Sequence, residues 1–103
     1  MIFKIPNRIT VLGRAYKVSL KNDKFLKRET GMHVDGSINY GAKNIYIKED
    51  MLQTSKEYTL IHETVHLIMN TTGLDQVILP ELQEIICESI TSGMHDFMRQ
   101  VRK

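Results

Sequence analysis

Two histidines and a glutamate near the middle of the chain carry the clearest chemical signal. His62 and His66 are four residues apart, and Glu63 directly follows the first, within an apolar stretch that is compatible with a helix. On a helix, side chains at this spacing project from one face, one turn apart. Two such imidazoles can share one tetrahedral metal ion, most often zinc, and Glu63 can take a proton from an attacking water. The motif therefore predicts a hydrolytic metal site; the alternative is a chance match on a buried helix.

A second predicted helix supplies the carboxylates that such a site still needs. Glu84 and Glu88 are four residues apart and share one face, which Thr91 and His95 continue. Unpaired carboxylates are costly to bury, whereas carboxylates that bind a metal or a ligand histidine are compensated. We predict Glu84 as the third metal ligand and Glu88 as the group that orients a ligand histidine. The spacing also allows the reverse assignment, and a solvent-facing polar stripe is the plainer alternative.

The remaining polar side chains are weaker candidates for the metal. Glu81 falls at the exposed start of the second helix, and Cys87 points away from the carboxylate face, as a small core residue does. His95 lies about 10 Å beyond Glu88 along a straight helix, too far to share its metal. His33 falls in a loop or strand, where it is either a surface residue or a substrate contact.

Length and composition predict one small domain over residues 1–103. The hydrophobic fraction of 42% and charged fraction of 25% are ordinary for a globular protein, and a net charge of +2 is too small to favour direct nucleic acid binding. A bound metal could add stability to a core of this size. The single cysteine excludes an internal disulfide and fits a reducing compartment. Lys4 and Pro6 interrupt the first residues, so we expect neither a signal peptide nor a membrane span, and a cytoplasmic location.

Sequence patterns also predict the elements that position these groups. Residues 9–20 contain two β-prone runs around Gly13, which indicates a hairpin. Residues 33–40 and 44–48 flank Gly41 and indicate a second hairpin. Within the first hairpin, one set of alternating apolar residues should be buried: Tyr16, Val18 and Leu20.

The first helix is predicted over residues 55–71. Thr54 and Glu57 have the spacing of a capping box, and Gly73 is suited to end the helix. The polar residues 21–32 that separate the two hairpins are predicted to form a loop with at most one helical turn.

The second helix is predicted from Pro80 to about residue 100, with acidic residues at its start. Apolar residues recur along it at helical spacing and are predicted to be core: Leu82, Ile86, Ile90, Met94, Phe97 and Val101. Together these elements predict an α+β fold in which a small antiparallel sheet of two hairpins, with three to four strands, packs on two helices.

These motifs resemble the minimal zinc metallopeptidases of the gluzincin type, in particular small phage-encoded proteins related to the ImmA/IrrE group. The resemblance rests on the segments 62–66 and 84–91 and on the short gap that contains Gly73, and the order of elements is similar over residues 9–98. In that group the acidic helix carries Glu-x-x-Ala-Asn-x-Phe-Ala, and its first Glu is the third zinc ligand. Glu84 takes that place here, and the four other motif positions are held by Cys87, Glu88, Ile90 and Thr91.

The resemblance implies a zincin-like core and a zinc-dependent peptidase, acting in the host cytoplasm if the chain is phage-encoded. Its substrate would be a protein or peptide such as a phage or host repressor. From the residues themselves, we expect Glu63 to be the general base and the exposed edge of the sheet, residues 44–48, to hold an extended substrate. Several side chains could stabilise the oxyanion, and their spacing selects none: Tyr40, Tyr46, Tyr58 and His33. Two alternatives stay open, namely a zinc-stabilised antirepressor that sequesters a regulator without cutting it and a structural or virion-associated protein.

Overall fold

A computed structural model describes residues 2–102 and confirms the α+β class. The strands of its sheet are Arg8–Val11 (β1), Arg14–Lys21 (β2), Gly36–Asn39 (β3) and Asn44–Lys48 (β4). The α-helices are Asp23–Thr30 (α1), Gln53–Thr72 (α2) and Pro80–Arg102 (α3), with a 3-10 turn at Leu74–Gln76 between the last two. Within residues 2–102, no helix combines the length and apolar character needed to cross a bilayer.

Both predicted hairpins are present, but the sheet they form is mixed. β1 pairs antiparallel with β2, and β3 pairs antiparallel with β4, whereas β2 and β4 run parallel in the centre of the order β1-β2-β4-β3. Parallel neighbours require a crossover, usually one that contains a helix, and α1 lies in this crossover. The prediction of a purely antiparallel sheet is therefore wrong for the central pair. Residues 44–48, predicted to form an exposed edge, are the inner strand β4, and β3 is the outer strand.

α1 replaces the predicted loop at residues 21–32. The side chain of Asn22 caps its start by accepting the backbone N–H of Phe25 at 2.8 Å, and Gly31 ends it with a φ of 80°. Leu26 is fully buried, and the ring of Phe25 packs edge-on against Tyr46. One buried leucine, one partly buried aromatic ring and two good caps stabilise a helix that has mostly charged and polar residues.

The main core lies between one face of the sheet and α2. Its buried side chains are Tyr16, Val18, Ile45, Ile47, Leu60 and Leu67. The predicted alternation in β2 is correct for Tyr16 and Val18, whereas Leu20 near the end of the strand is exposed. This packing fixes the side of α2 that faces the sheet and thereby turns the histidine face towards α3.

α2 ends as predicted at Gly73, which has a φ of 80°, but its start differs from the prediction. The N-cap residue is Leu52, without a side-chain hydrogen bond, so Thr54 and Glu57 do not form a capping box. Glu57 is instead fully buried, and its carboxylate accepts the backbone N–H of Ile2 at 2.7 Å. A tertiary hydrogen bond that ties the N-terminal segment to α2 has replaced the local one.

α3 begins at Pro80 as predicted, but it buries a different face. We call the six apolar residues predicted as core the α3 stripe: Leu82, Ile86, Ile90, Met94, Phe97 and Val101. All of them are exposed except Ile86, which is partly buried. The buried side chains of α3 are Cys87, Thr91 and His95. The face that α3 turns towards α2 is therefore less apolar than the face that it leaves exposed.

Candidate metal centre

The two histidines of α2 point their Nε2 atoms at one another. His62 and His66 lie one helical turn apart, and their Nε2 atoms are 3.1 Å apart. Both side chains are partly buried. Burial lowers the pKa of His66, and the neighbouring His62 lowers it further, while the charge of Glu84 opposes both effects. His66 is therefore favoured in the neutral form, which is the form that binds metals.

Glu84 of α3 completes a triangle with these nitrogens. One of its carboxylate oxygens lies 3.1 Å from Nε2 of His62, and the other lies 3.3 Å from Nε2 of His66. The rotation of α3 described above makes this contact possible, because it directs Glu84 across to the histidine face of α2. The residues that the sequence predicted as metal ligands are thus brought together.

The spacing of these donor atoms fits a metal ion. Metal-to-ligand bonds of roughly 2.0–2.1 Å in a tetrahedral site separate the ligand atoms by about 3.3 Å. The two Nε2 atoms are 3.1 Å apart, and each lies 3.1–3.3 Å from a different oxygen of Glu84. With one donor atom taken from each residue, the three atoms lie within 4.8 Å of one another, close enough for one ion to reach them after small side-chain adjustments. Two imidazole nitrogens and one carboxylate form a donor set suited to zinc, with the fourth position free for water or substrate. His62, His66 and Glu84 could therefore hold such an ion.

Glu88 contacts the other side of the His62 ring. One of its oxygens lies 3.3 Å from Nδ1 of His62, although the angle is not that of a well-formed hydrogen bond. Its second oxygen accepts the hydroxyl of Tyr58 at 2.7 Å, and this hydroxyl is also 3.1 Å from Ser92. Glu84 thus faces the two Nε2 atoms, which are the candidate ligand nitrogens. Glu88 faces Nδ1 of His62, the outer nitrogen through which a partner can orient the ring. Tyr58 was not predicted in this role, although its position four residues before His62 places it on the same helix face.

Cys87 occupies the corresponding place beside His66. Its sulfur lies 3.5 Å from Nδ1 of His66, the nitrogen that faces away from the metal position, and its thiol donates to the sulfur of Met69 at 3.4 Å. Burial raises the pKa of Cys87 to about 11, and the charges of nearby glutamates add to this effect. The side chain stays a protonated thiol that packs against the ligand histidine.

Glu63 lines the same cleft as the candidate metal ligands without being one of them. Burial raises the pKa of its carboxyl group to about 7, and the negative charge of Glu84 adds to the shift. A group with a pKa near neutrality can both accept and return a proton at physiological pH. A bound cation would lower this pKa and favour the carboxylate, which is the form that a base requires.

The centre opens into a cleft of about 490 Å³ that is bordered by β3. Gly36 of β3 approaches α2 so closely that a Cβ atom there would lie 2.5 Å from the methyl group of Thr59 and 3.4 Å from Cγ of Glu63. A residue without a side chain thus lets the outer strand lie against the helix that carries the histidines. The cleft is lined by the site residues together with parts of β3 and its flanking loops.

Two of the four candidates for oxyanion stabilisation line the cleft, and two do not. Tyr40 and Tyr58 line it, and the hydroxyl of Tyr58 is hydrogen-bonded to Glu88. Tyr46 is buried against Phe25, and neither it nor His33 lines the cleft. Burial raises the pKa of Tyr40 to about 12, with the charge of Glu63 adding to the shift, so its phenol keeps its proton.

The two remaining polar candidates on α3 do not line the cleft. Glu81 is exposed at the start of the helix, as predicted. His95 is buried, and its Nε2 lies 3.7 Å from the carboxylate of Glu57. The carboxylates of α3 that line the cleft are Glu84 and Glu88.

Comparisons with protein-family models, with curated proteins and with solved structures found no match for this chain. The interpretation of the centre therefore rests on its geometry and on the chemistry of its residues.

We expect Glu84→Ala to weaken zinc binding more than Glu88→Ala does. Glu84 contacts both Nε2 atoms, whereas Glu88 acts through one histidine, and loss of such an outer partner typically costs about 10–100-fold in affinity. Competition titration against a chromogenic chelator measures both changes. Glu81→Ala is the matched control and should leave the affinity unchanged. A larger loss for Glu88→Ala would reverse the two roles.

Proposed function

We propose that this chain is a zinc-dependent metallopeptidase that hydrolyses a peptide bond in a protein substrate. The supporting observation is the convergence of His62, His66 and Glu84 beside Glu63 in an open cleft. The resemblance of these motifs to gluzincin-type phage proteins favours a phage or host regulator, such as a repressor, as the substrate. The single cysteine is in keeping with action in the cytoplasm.

Zinc and Glu63 have separate parts in this mechanism. A zinc ion held by His62, His66 and Glu84 would supply Lewis-acid activation of water and of the scissile carbonyl group. Glu63 accepts the proton of the attacking water and then delivers it to the leaving amine. Glu88 and Cys87 keep the histidine rings oriented from their outer nitrogens.

We assign the stabilisation of the developing oxyanion to Tyr40. Its phenol is protonated at neutral pH, and its side chain lines the cleft together with Glu63. A preorganised hydrogen-bond donor of this kind acts where charge develops in the transition state. The hydroxyl of Tyr58 is already donated to Glu88, which makes Tyr58 a residue that positions the centre.

The outer strand β3 is the surface that we expect to hold the substrate. β3 has β4 on one side only, and the other side borders the cleft. The unpaired backbone groups of an outer strand can bind an extended peptide as an additional strand. A peptide bound in this way would pass the metal-binding atoms with its backbone fixed, and the small domain would need no deep specificity pocket.

Glu63→Gln is expected to keep the fold and the zinc but to lose hydrolysis. Glutamine has nearly the same shape but cannot accept a proton, and a general base typically contributes about 10²–10⁴-fold in rate. The measurement compares cleavage of a fluorescent casein and of candidate repressors by the two forms at equal zinc content. Glu81→Gln makes the same chemical change at an exposed position on α3 and should leave the rate unchanged.

Two outcomes would overturn this assignment. If Glu63→Gln cuts as fast as the unaltered chain, the base is another group or the activity is a contaminant. If neither form cuts a repressor that both bind, the protein acts as a zinc-stabilised antirepressor that sequesters its partner.

Tyr40→Phe is expected to lower kcat by about 10²–10³-fold while changing KM little, because the lost hydrogen bond forms mainly in the transition state. Steady-state kinetics on the same substrates measure both constants. Tyr46→Phe removes a hydroxyl outside the cleft and is the matched control. A rise in KM with kcat unchanged would assign Tyr40 to substrate binding instead.

A further inference from the structure

The α3 stripe is a large apolar surface that the described chain does not cover. Leu82, Ile90, Met94, Phe97 and Val101 are each 44–64% exposed. Together with the partly buried Ile86, they recur at three- or four-residue spacing. They therefore form one continuous band along a helix of 23 residues, which is about 35 Å long. Leu79, just before the helix, extends the band and is 66% exposed.

This band is separate from the candidate metal centre. The face of α3 that carries Cys87, Thr91 and His95 packs on α2. By helical periodicity, Glu84 and Glu88 lie on one flank of that buried face, and the α3 stripe lies on the opposite flank. A substrate bound in the cleft would therefore leave the stripe in water.

The exposed apolar area of the stripe lies at the upper end of what an ordinary monomer shows. Taking roughly 150–200 Å² for a fully exposed side chain of this size, the stripe and Leu79 expose on the order of 500–600 Å² of apolar surface. The largest apolar patch of an ordinary monomer is about 300–600 Å² and is often functional. With a polar rim, this surface approaches the roughly 800 Å² per partner of a standard protein interface. A two-fold dimer that buried the stripe together with its polar rim would therefore have an interface of about standard size.

We propose that the α3 stripe pairs with the same stripe of a second copy of this chain, in an antiparallel arrangement around a two-fold axis. Two-fold dimers bury the same surface on both subunits, and an uninterrupted, uncharged helical band is self-complementary in this way. With the axis near Ile90, the Leu82 end of each band lies against the Val101 end of the partner band. Gly93 borders the centre, and a methyl group placed on it would have no atom within 4 Å, so two helices can approach closely there.

The charges of α3 favour the antiparallel arrangement over the parallel one. Glu81 lies in its first turn, and Arg99 and Arg102 lie in its last turns. Antiparallel pairing places the acidic start of one helix near the basic end of the other and opposes the two helix dipoles. These side chains point away from the band, and Arg99 already lies 3.8 Å from Asp96, so their attraction across the dimer is weak and screened by salt. Both clefts would remain open on the outer flanks of the dimer.

Sedimentation of the purified chain over a range of concentrations tests the association. The chain of 11.9 kDa should sediment as a dimer, and Ile90→Glu should weaken the dimer by at least about 30-fold, because it places two like charges near the axis. Leu52→Glu is the matched control, since Leu52 is an exposed apolar residue outside α3. Circular dichroism checks that each variant is folded. A monomer at every concentration, or a dimer that Ile90→Glu leaves intact, would overturn the proposal.

Single cysteine substitutions test the orientation. Under mild oxidation, Ile90→Cys should form a disulfide-linked dimer, because antiparallel helices bring this position close to itself. Leu82→Cys and Val101→Cys should not, because each lies at an end of the band. The unaltered chain is the control, since its Cys87 is buried. Crosslinking at Leu82 and Val101 would mean that the helices are parallel and would contradict the proposed arrangement.

Discussion

The contact between His62, His66 and Glu84 across α2 and α3 is the constraint on which the rest of the structure depends. A neutral imidazole has one hydrogen, and placing it on Nδ1 leaves Nε2 as an acceptor. In His62 and His66 these acceptors face one another at 3.1 Å, and both also face the carboxylate of Glu84. Lone pairs in such an arrangement repel one another unless a hydrogen or a cation lies between them. A metal ion would satisfy all three groups at once.

The same contact explains the unusual rotation of α3. A helix that packed by hydrophobicity alone would turn its apolar band towards α2, as the sequence pattern suggested. The observed rotation instead directs Glu84 and Glu88 towards His62, and it places small or polar side chains, Cys87 and Thr91, against α2. The consequence is an apolar band left on the outside. The geometry of the centre and the proposed dimer surface thus have one structural cause.

Sequence patterns predicted the parts of the structure that depend on local chemistry. The histidine spacing, the end of α2 at Gly73 and the start of α3 at Pro80 are local features, and the structure agrees with them. The two hairpins were also correct, because turn residues separate their strands. Glu84 and Glu88 are one helical turn apart, which lets Glu84 face the Nε2 atoms of both histidines while Glu88 faces Nδ1 of His62.

Features that depend on distant parts of the chain were not predicted. The buried face of α3 was wrong because hydrophobic periodicity assumes a core on the apolar side of a helix. Glu57 has the spacing of a capping residue, but it binds the N-terminal backbone, which is far away in sequence. The parallel pairing of β2 with β4, and hence the outer position of β3, depends on a crossover that no local pattern specifies.

The central claim is that His62, His66 and Glu84 bind one zinc ion that links the two helices. The direct measurement is a zinc titration of chelator-treated protein, with bound metal and unfolding temperature followed together. We expect one zinc per chain and, at about a thousand times the dissociation constant, a rise in unfolding temperature of more than about 10 °C. His62→Ala and His66→Ala should remove both effects. Absence of stoichiometric zinc, or equal binding by His62→Ala, would contradict the account.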